Sequence, residues 1–137
     1  LNKIKSKFMV LYFYPRDETP LCTIEARGFS AAYDSLRDAG IEVVGVSADD
    51  LESHNAFREK EAIPYHLLCD TDNQVADLFK IPRYQTPPMD IFAKRTTFLL
   101  GTDKKILEVW DDFDSDVNLH TEDVVTFVME ILEKAED

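Results

Sequence analysis

Segments of strand character and segments of helical character take turns along this chain, and that alternation constrains its fold more than any other feature. Phe8 to Tyr14 is an unbroken apolar run of the kind that forms a buried strand. Leu21 to Ala39 carries Ile24, Phe29, Ala32, Tyr33 and Leu36 near helical spacing, with Gly40 as the stop. Ile41 to Ser47 predicts a second strand, and Asp50 to Glu61 a helix ended by Ile63-Pro64. Tyr65 to Cys69 predicts a short strand, and Gln74 to Phe79 a short helix stopped near Pro82. Tyr84 to Lys94 reads as a loop punctuated by Pro87-Pro88. Arg95 to Leu100 and Lys105 to Asp111 read as a hairpin, and Thr121 to Glu133 as a closing helix. Such alternation gives a mostly parallel sheet covered on both faces, to which the hairpin adds antiparallel pairing. The expected class is α/β, a three-layer fold with a mixed central sheet and helices on both faces, occupying residues 1–137 as a single domain.

The 137 residues are 45% hydrophobic, enough for a proper core without disulfide staples. A formal net charge of −12 argues against nucleic acid as a partner and disfavours anionic membrane surfaces. No run approaches the ~20 apolar residues of a membrane span, and no signal-peptide pattern is present. The chain begins at Leu1 rather than Met, close before a core strand, and reads as an incomplete or processed view of a longer protein. Cys22 and Cys69 form no C-x-x-C pair, so a zinc knuckle and a dithiol redox motif are not written here. A reducing compartment, the cytoplasm by default, is expected, organelle targeting staying open because of that start.

Cys22 falls where a strand gives way to a helix. The first turn of a helix offers unpaired N–H groups and a partial positive charge, and both favour the nucleophilic thiolate. Thr19 is placed as N-cap, with Pro20 at the first helical position.

The order of elements is that of a thioredoxin-like fold with an inserted helix and strand. Pro15-x-x-x-Thr19-x-x-Cys22, after an apolar strand ending in Tyr14, resembles the active-site motif of peroxiredoxins. Arg95-Thr96-Thr97-Phe98-Leu99-Leu100 is similar to the strand that carries that family's distal arginine, and Trp110-Asp111-Asp112-Phe113 is similar to the bacterioferritin-comigratory, or peroxiredoxin Q, branch. The resemblance covers essentially the whole chain. It implies a short hairpin before Leu1. It also implies Cys22 as peroxidatic nucleophile, Thr19 and Arg95 as groups that orient peroxide and activate the thiolate, and Pro15 as a shield.

The chemistry agrees with those roles. A thiolate attacking a peroxide needs positive or donor groups aimed at the leaving oxygen, and an arginine supplies a permanent, rigid charge. The chain departs from its branch at Arg27, which stands five residues after Cys22, where many members carry a resolving cysteine. Two routes stay open: an external thiol resolves the Cys22 sulfenic acid, or Cys69 does. Cys69 is expected to be a buried structural cysteine. Arg27 is expected to face solvent. Taken without its context, Arg95 would read as a surface ion pair. His54, His66 and His120 show no ligand spacing, so no metal is expected. Met89, Ile91 and Phe92 read as loop residues packing back on the core, or as an apolar rim to the site. Asp111 to Asp116 reads as a solvated turn rather than a calcium loop.

The expectation is a thiol-dependent peroxidase for hydrogen peroxide and small alkyl hydroperoxides, with no metal, haem or flavin. A thioredoxin- or glutaredoxin-like protein or a small thiol would reduce it, and it would be a monomer or homodimer. A peroxide-responsive sensor or holdase using the same cysteine, and a thioredoxin-like disulfide exchanger, are the competing readings.

Overall fold

The computed structural model describes residues 8–85, 87, 92–103, 105–111 and 117–136. The elements follow in the order β1 (Phe8–Phe13), α1 (Pro20–Asp38), β2 (Ile41–Ser47), α2 (Leu51–Glu61), β3 (His66–Cys69), α3 (Gln74–Leu78), β4 (Thr96–Leu100), β5 (Ile106–Asp111) and α4 (Val117–Glu136). They build one five-stranded sheet in the order β3-β2-β1-β4-β5. β1 pairs in parallel with β2, and β2 with β3, while β4 runs antiparallel to both β1 and β5. This is the mixed α/β sheet that the alternation predicts.

The central strand explains the two cores. Alternate residues of β1 point to opposite faces. Val10, Tyr12 and Tyr14 join Phe29 of α1, Phe57 of α2 and Val124 and Val128 of α4 on one face. Met9, Leu11 and Phe13 join Ala76 of α3, Ile81 and Phe98 on the other. Each such large apolar side chain contributes roughly 1.5–3 kcal/mol by leaving water. At Gly28 in α1, an added Cβ would run into the side chain of Thr121 in α4, so this glycine sets how closely the two helices approach. Gly40, at φ 87°, takes the left-handed turn that ends α1 and delivers the chain to β2.

Several boundaries differ from the sequence reading. α4 begins at Val117, four residues before the expected Thr121, because Val117 and His120 are already buried against the core. Arg95 and Tyr65 lie just outside their strands. The expected loop at Tyr84–Lys94 is closed at its base by an antiparallel bridge between Arg83 and Ala93. Met89 and Ile91 in that loop, the Asp112–Asp116 part of the acidic turn and Leu1 lie outside the described residues, whereas Phe92 is half-buried. Among the described residues no helix is long and apolar enough to cross a membrane.

Candidate active site

The turn between β1 and α1 is held in an unusual backbone shape. Pro15 is buried and, lacking an N–H, cannot extend the strand ladder. Glu18 has φ 62°, a left-handed conformation that costs a residue with a side chain of order 1 kcal/mol. Thr19 then takes the N-cap position in extended conformation, followed by Pro20, as expected. Its side chain, however, does not cap the helix. The Thr19 hydroxyl donates to the Arg16 carbonyl at 3.1 Å and acts to lower the pKa of the Cys22 thiol. The threonine is thus turned inward, toward the thiol, rather than toward the free N–H groups of α1.

Cys22 sits in the first turn of α1 and is 1% exposed. Burial pushes its thiol above the ordinary value. The Arg95 guanidinium, the Thr19 hydroxyl and the Arg16 backbone N–H pull the other way, while the charge of Glu25 adds to the rise. The net direction is upward, which corrects the expectation that a helix start by itself yields a low-pKa thiolate. Desolvation wins at this sulfur because the site is sealed.

Arg95 faces Cys22 from the residue before β4, and the guanidinium charge acts on the thiol. It is only 5% exposed, and Nη1 lies 3.2 Å from Oε1 of Glu25, itself fully buried. A surface ion pair, the bland reading of Arg95, is therefore excluded. Burial alone would lower the guanidinium's pKa, but Cys22 and Glu25 together hold it above its usual value. Behind Glu25 stands His120 of α4. Its Nε2 is 3.9 Å from Glu25 Oε2 and 2.9 Å from Oγ1 of Thr97. Burial, with the neighbouring Arg95 charge, lowers this imidazole to about 4, so it is neutral at physiological pH.

Cys69 lies at the end of edge strand β3 and is exposed, which corrects the expectation of a buried structural cysteine. β3 is too short and too far out in the sheet to be covered on both sides. Partial burial and the carboxylates of Asp17, Asp50 and Asp49 raise its thiol. Arg27 points outward and pairs with Glu61 of α2 at 2.5 Å.

Asp17, Asp49 and His54 bring potential ligand atoms within 4.8 Å of one another. Their hydrogen bonds leave the group satisfied without an ion: Asp17 accepts from Tyr14, Ser53 and His54, and Asp49 accepts from Ser47 and the Asp17 backbone. A cleft of about 380 Å³ is lined by Phe79, Ile81, Arg95 and Phe98, and a polar one of about 800 Å³ reaches Thr19 and Pro20; among the described residues Cys22 lines neither.

The structure thus brings Thr19, Cys22 and Arg95 together, with Pro15 buried in the same turn, and leaves Cys69 outside. Sequence reasoning missed Glu25, His120 and Asp17. Only Glu25 left a signal, since a residue three positions after Cys22 shares its helix face.

A sealed cysteine at a strand-to-helix turn, faced by a buried arginine on a thioredoxin-like sheet, defines a peroxiredoxin, the thiol peroxidase class. The chain belongs to the AhpC/TSA family, whose profile matches residues 1–109. It is 39% identical over 114 residues to the putative peroxiredoxin bcp of Coxiella burnetii, covering 80% of this chain and 74% of that one. It is 46% identical over 98 residues to the chloroplastic peroxiredoxin Q of Suaeda salsa, covering 66% of this chain and 46% of the relative, so it spans about half the length of that protein. Among solved structures it superposes on the bacterioferritin comigratory protein of Xanthomonas campestris, described for its alkyl peroxide reduction activity. The TM-score is 0.85 at 27% identity, over 94% of this chain and 81% of that one.

Proposed function

We propose that this domain reduces hydrogen peroxide and small alkyl hydroperoxides at Cys22 by a one-cysteine mechanism. The observation that carries this reading is the buried Arg95 guanidinium, held by Glu25 at 3.2 Å and acting by its charge on the Cys22 thiol. The Cys22 thiolate attacks one peroxide oxygen, the O–O bond breaks, and the other oxygen leaves as hydroxide or alkoxide. Arg95 and the Thr19 hydroxyl stand where that departing charge develops, and donors already in place need no reorganisation at the moment of reaction. Pro15 keeps the sulfur from other electrophiles by its place in the sealed turn. The product is a Cys22 sulfenic acid. One thiol condenses with it, releasing water, and a second returns Cys22 to the thiol as a disulfide departs.

The external reductant follows from two placements. Arg27 occupies the helix position five residues on and pairs with Glu61, and Cys69 is exposed at the end of the edge strand. A thioredoxin- or glutaredoxin-like protein or a small thiol fits that need. In this reading residues 1–137 form a single domain. The chemistry as written calls on no metal or organic cofactor.

Peroxide consumption with dithiothreitol as reductant tests the reading. Wild-type protein is expected to turn over and Cys22→Ser to be inactive. Wild-type turnover in Cys22→Ser would overturn it. Insulin reduction by the wild type would point instead to the disulfide-exchange reading.

A further inference from the structure

The turn that carries Cys22 is tied to the rest of the fold through Asp17, and Asp17 through a histidine on another element. Asp17 Oδ1 accepts from the Tyr14 hydroxyl at 2.6 Å, and Oδ2 accepts from Ser53 at 2.8 Å. Nδ1 of His54 lies 2.7 Å from the same Oδ2, and Nε2 lies 2.9 Å from the Leu68 carbonyl of β3. Asp17 and His54 are 6% and 1% exposed.

Hydrogen counting fixes the state of the ring. A carbonyl oxygen only accepts, so Nε2 carries a hydrogen. A carboxylate oxygen also only accepts, so against Oδ2 the Nδ1 contact calls for a second ring N–H. His54 is then an imidazolium donating from both nitrogens, with one arm on the catalytic turn and one on β3. The groups facing the ring are Asp17 in the turn, Asp49 after β2, Tyr14 at the end of β1, Ser53 of its own helix and the Leu68 carbonyl. Burial alone would lower the imidazole, but the Asp17 and Leu68 hydrogen bonds and the charges of Asp17 and Asp49 hold it above its ordinary value.

The tie reaches the chemistry in one further step. The residue before Asp17 is Arg16, whose backbone stands by the Cys22 thiol and lowers its pKa, and whose carbonyl accepts from Thr19 at the start of the same helix. The intervening backbone is not relaxed, since Glu18 holds φ 62°. A turn with one residue in the left-handed region keeps its shape only while its surroundings impose it. We propose that His54 is a positioning residue: by gripping the Asp17 carboxylate it holds the Arg16 peptide on the Cys22 sulfur and so sets the reactivity of that thiol. This rests on Cys22 being the reacting group and assigns its tuning to a residue 32 positions away in sequence, anchored on α2.

Two isosteres separate the ring's arms. In His54→Asn the side-chain amide occupies the place of Nδ1 and can still donate to Asp17. In His54→Gln it reaches toward the Leu68 carbonyl and leaves Asp17 untied. Both are made in a Cys69→Ser background, so that Cys22 is the only thiol. The pH profile of Cys22 alkylation by iodoacetamide reads its pKa without any peroxide, and the rate constant with hydrogen peroxide reads the chemistry. His54→Asn is expected to stay near wild type in both. His54→Gln is expected to raise the Cys22 pKa and slow the peroxide step by roughly tenfold or more, the scale of loss for a misplaced reacting group. Equal behaviour of the two variants, or a wild-type thiol pKa in His54→Gln, overturns the proposal. If His54→Gln does not fold, Asp17→Asn is read on the same scale. If wild-type protein does not react with peroxide, the peroxidase reading fails, while the alkylation profiles still decide the role of His54.

Discussion

Arg95 and Glu25, 70 positions apart in the chain, meet in a buried ion pair 3.2 Å long directly behind the sulfur of Cys22. Neither partner tolerates the loss of the other. Arg95→Ala leaves a fully buried carboxylate uncompensated, which costs about 3–5 kcal/mol. Arg95→Lys keeps the charge but loses the planar fork, so peroxide turnover is expected to fall by about 100-fold with a smaller loss of stability. Urea unfolding and initial rates on the two variants check this; a lysine variant at wild-type rate would remove Arg95 from the chemistry.

Because burial raises the Cys22 thiol, the reactive thiolate is a minority at neutral pH, and its share grows as pH rises. Alkylation and peroxide rates are therefore expected to climb together through and beyond the ordinary thiol range instead of levelling off near pH 7. Thr19→Val removes one of the groups that lower the pKa and is expected to move both profiles further toward alkaline pH. Stopped-flow rates against pH give the comparison.

His120 sets an opposite, acid-side dependence. Its folded pKa is lowered from 6.5 to about 4, so between those values the unfolded chain binds a proton that the folded chain does not. Stability from this group is full above pH 6.5 and is lost as pH falls toward 4, by about 3 kcal/mol at most. His120→Gln keeps a partner for Thr97 without a titrating ring, and thermal melts of that variant are expected to be flatter across this interval.

Intact mass after one equivalent of peroxide distinguishes the two resolving routes. Addition of one oxygen, trapped by a sulfenic-acid reagent, is expected. Loss of two hydrogens within one chain would mean that Cys69 is the resolving thiol, and would bring the two Cα atoms within ~7 Å of each other.

At Gly28 the expected change is mechanical. A Cβ there meets Thr121, so α1 and α4 must part. Gly28→Ala is expected to destabilise by about 1–3 kcal/mol, the usual cost of overpacking, despite alanine's better helix propensity. Denaturant midpoints measure it.

The strands were legible because each is a compact apolar or alternating run between Gly, Pro and Asp, and the Pro15–Cys22 turn because its residue types are specific. The start of α4 was missed although Ser115-Asp116, residues of the N-cap type, stand directly before Val117 in the sequence; the reading followed the apolar periodicity from Thr121 and overlooked that Val117 and His120 are buried too. The Asp17–His54 tie was invisible for a different reason. Nothing local joins a turn aspartate to a helix histidine; they meet because β1 and β2 pair in parallel and deliver the turn and the start of α2 to one edge of the sheet. Cys69 misled for the converse reason: a cysteine ending an apolar run suggests a core, but the run is an edge strand.

The direction of β4 has a practical corollary. Arg95 enters at one end of that strand, and the Gly101–Lys105 turn leaves from the other, so the reacting groups crowd one rim of the sheet and the hairpin tip occupies the opposite rim. Asp103 and Lys105 are exposed there. A fluorophore, an affinity handle or a solid support attached at that tip would stand a strand's length from the sulfur, leaving the catalytic rim open to solution.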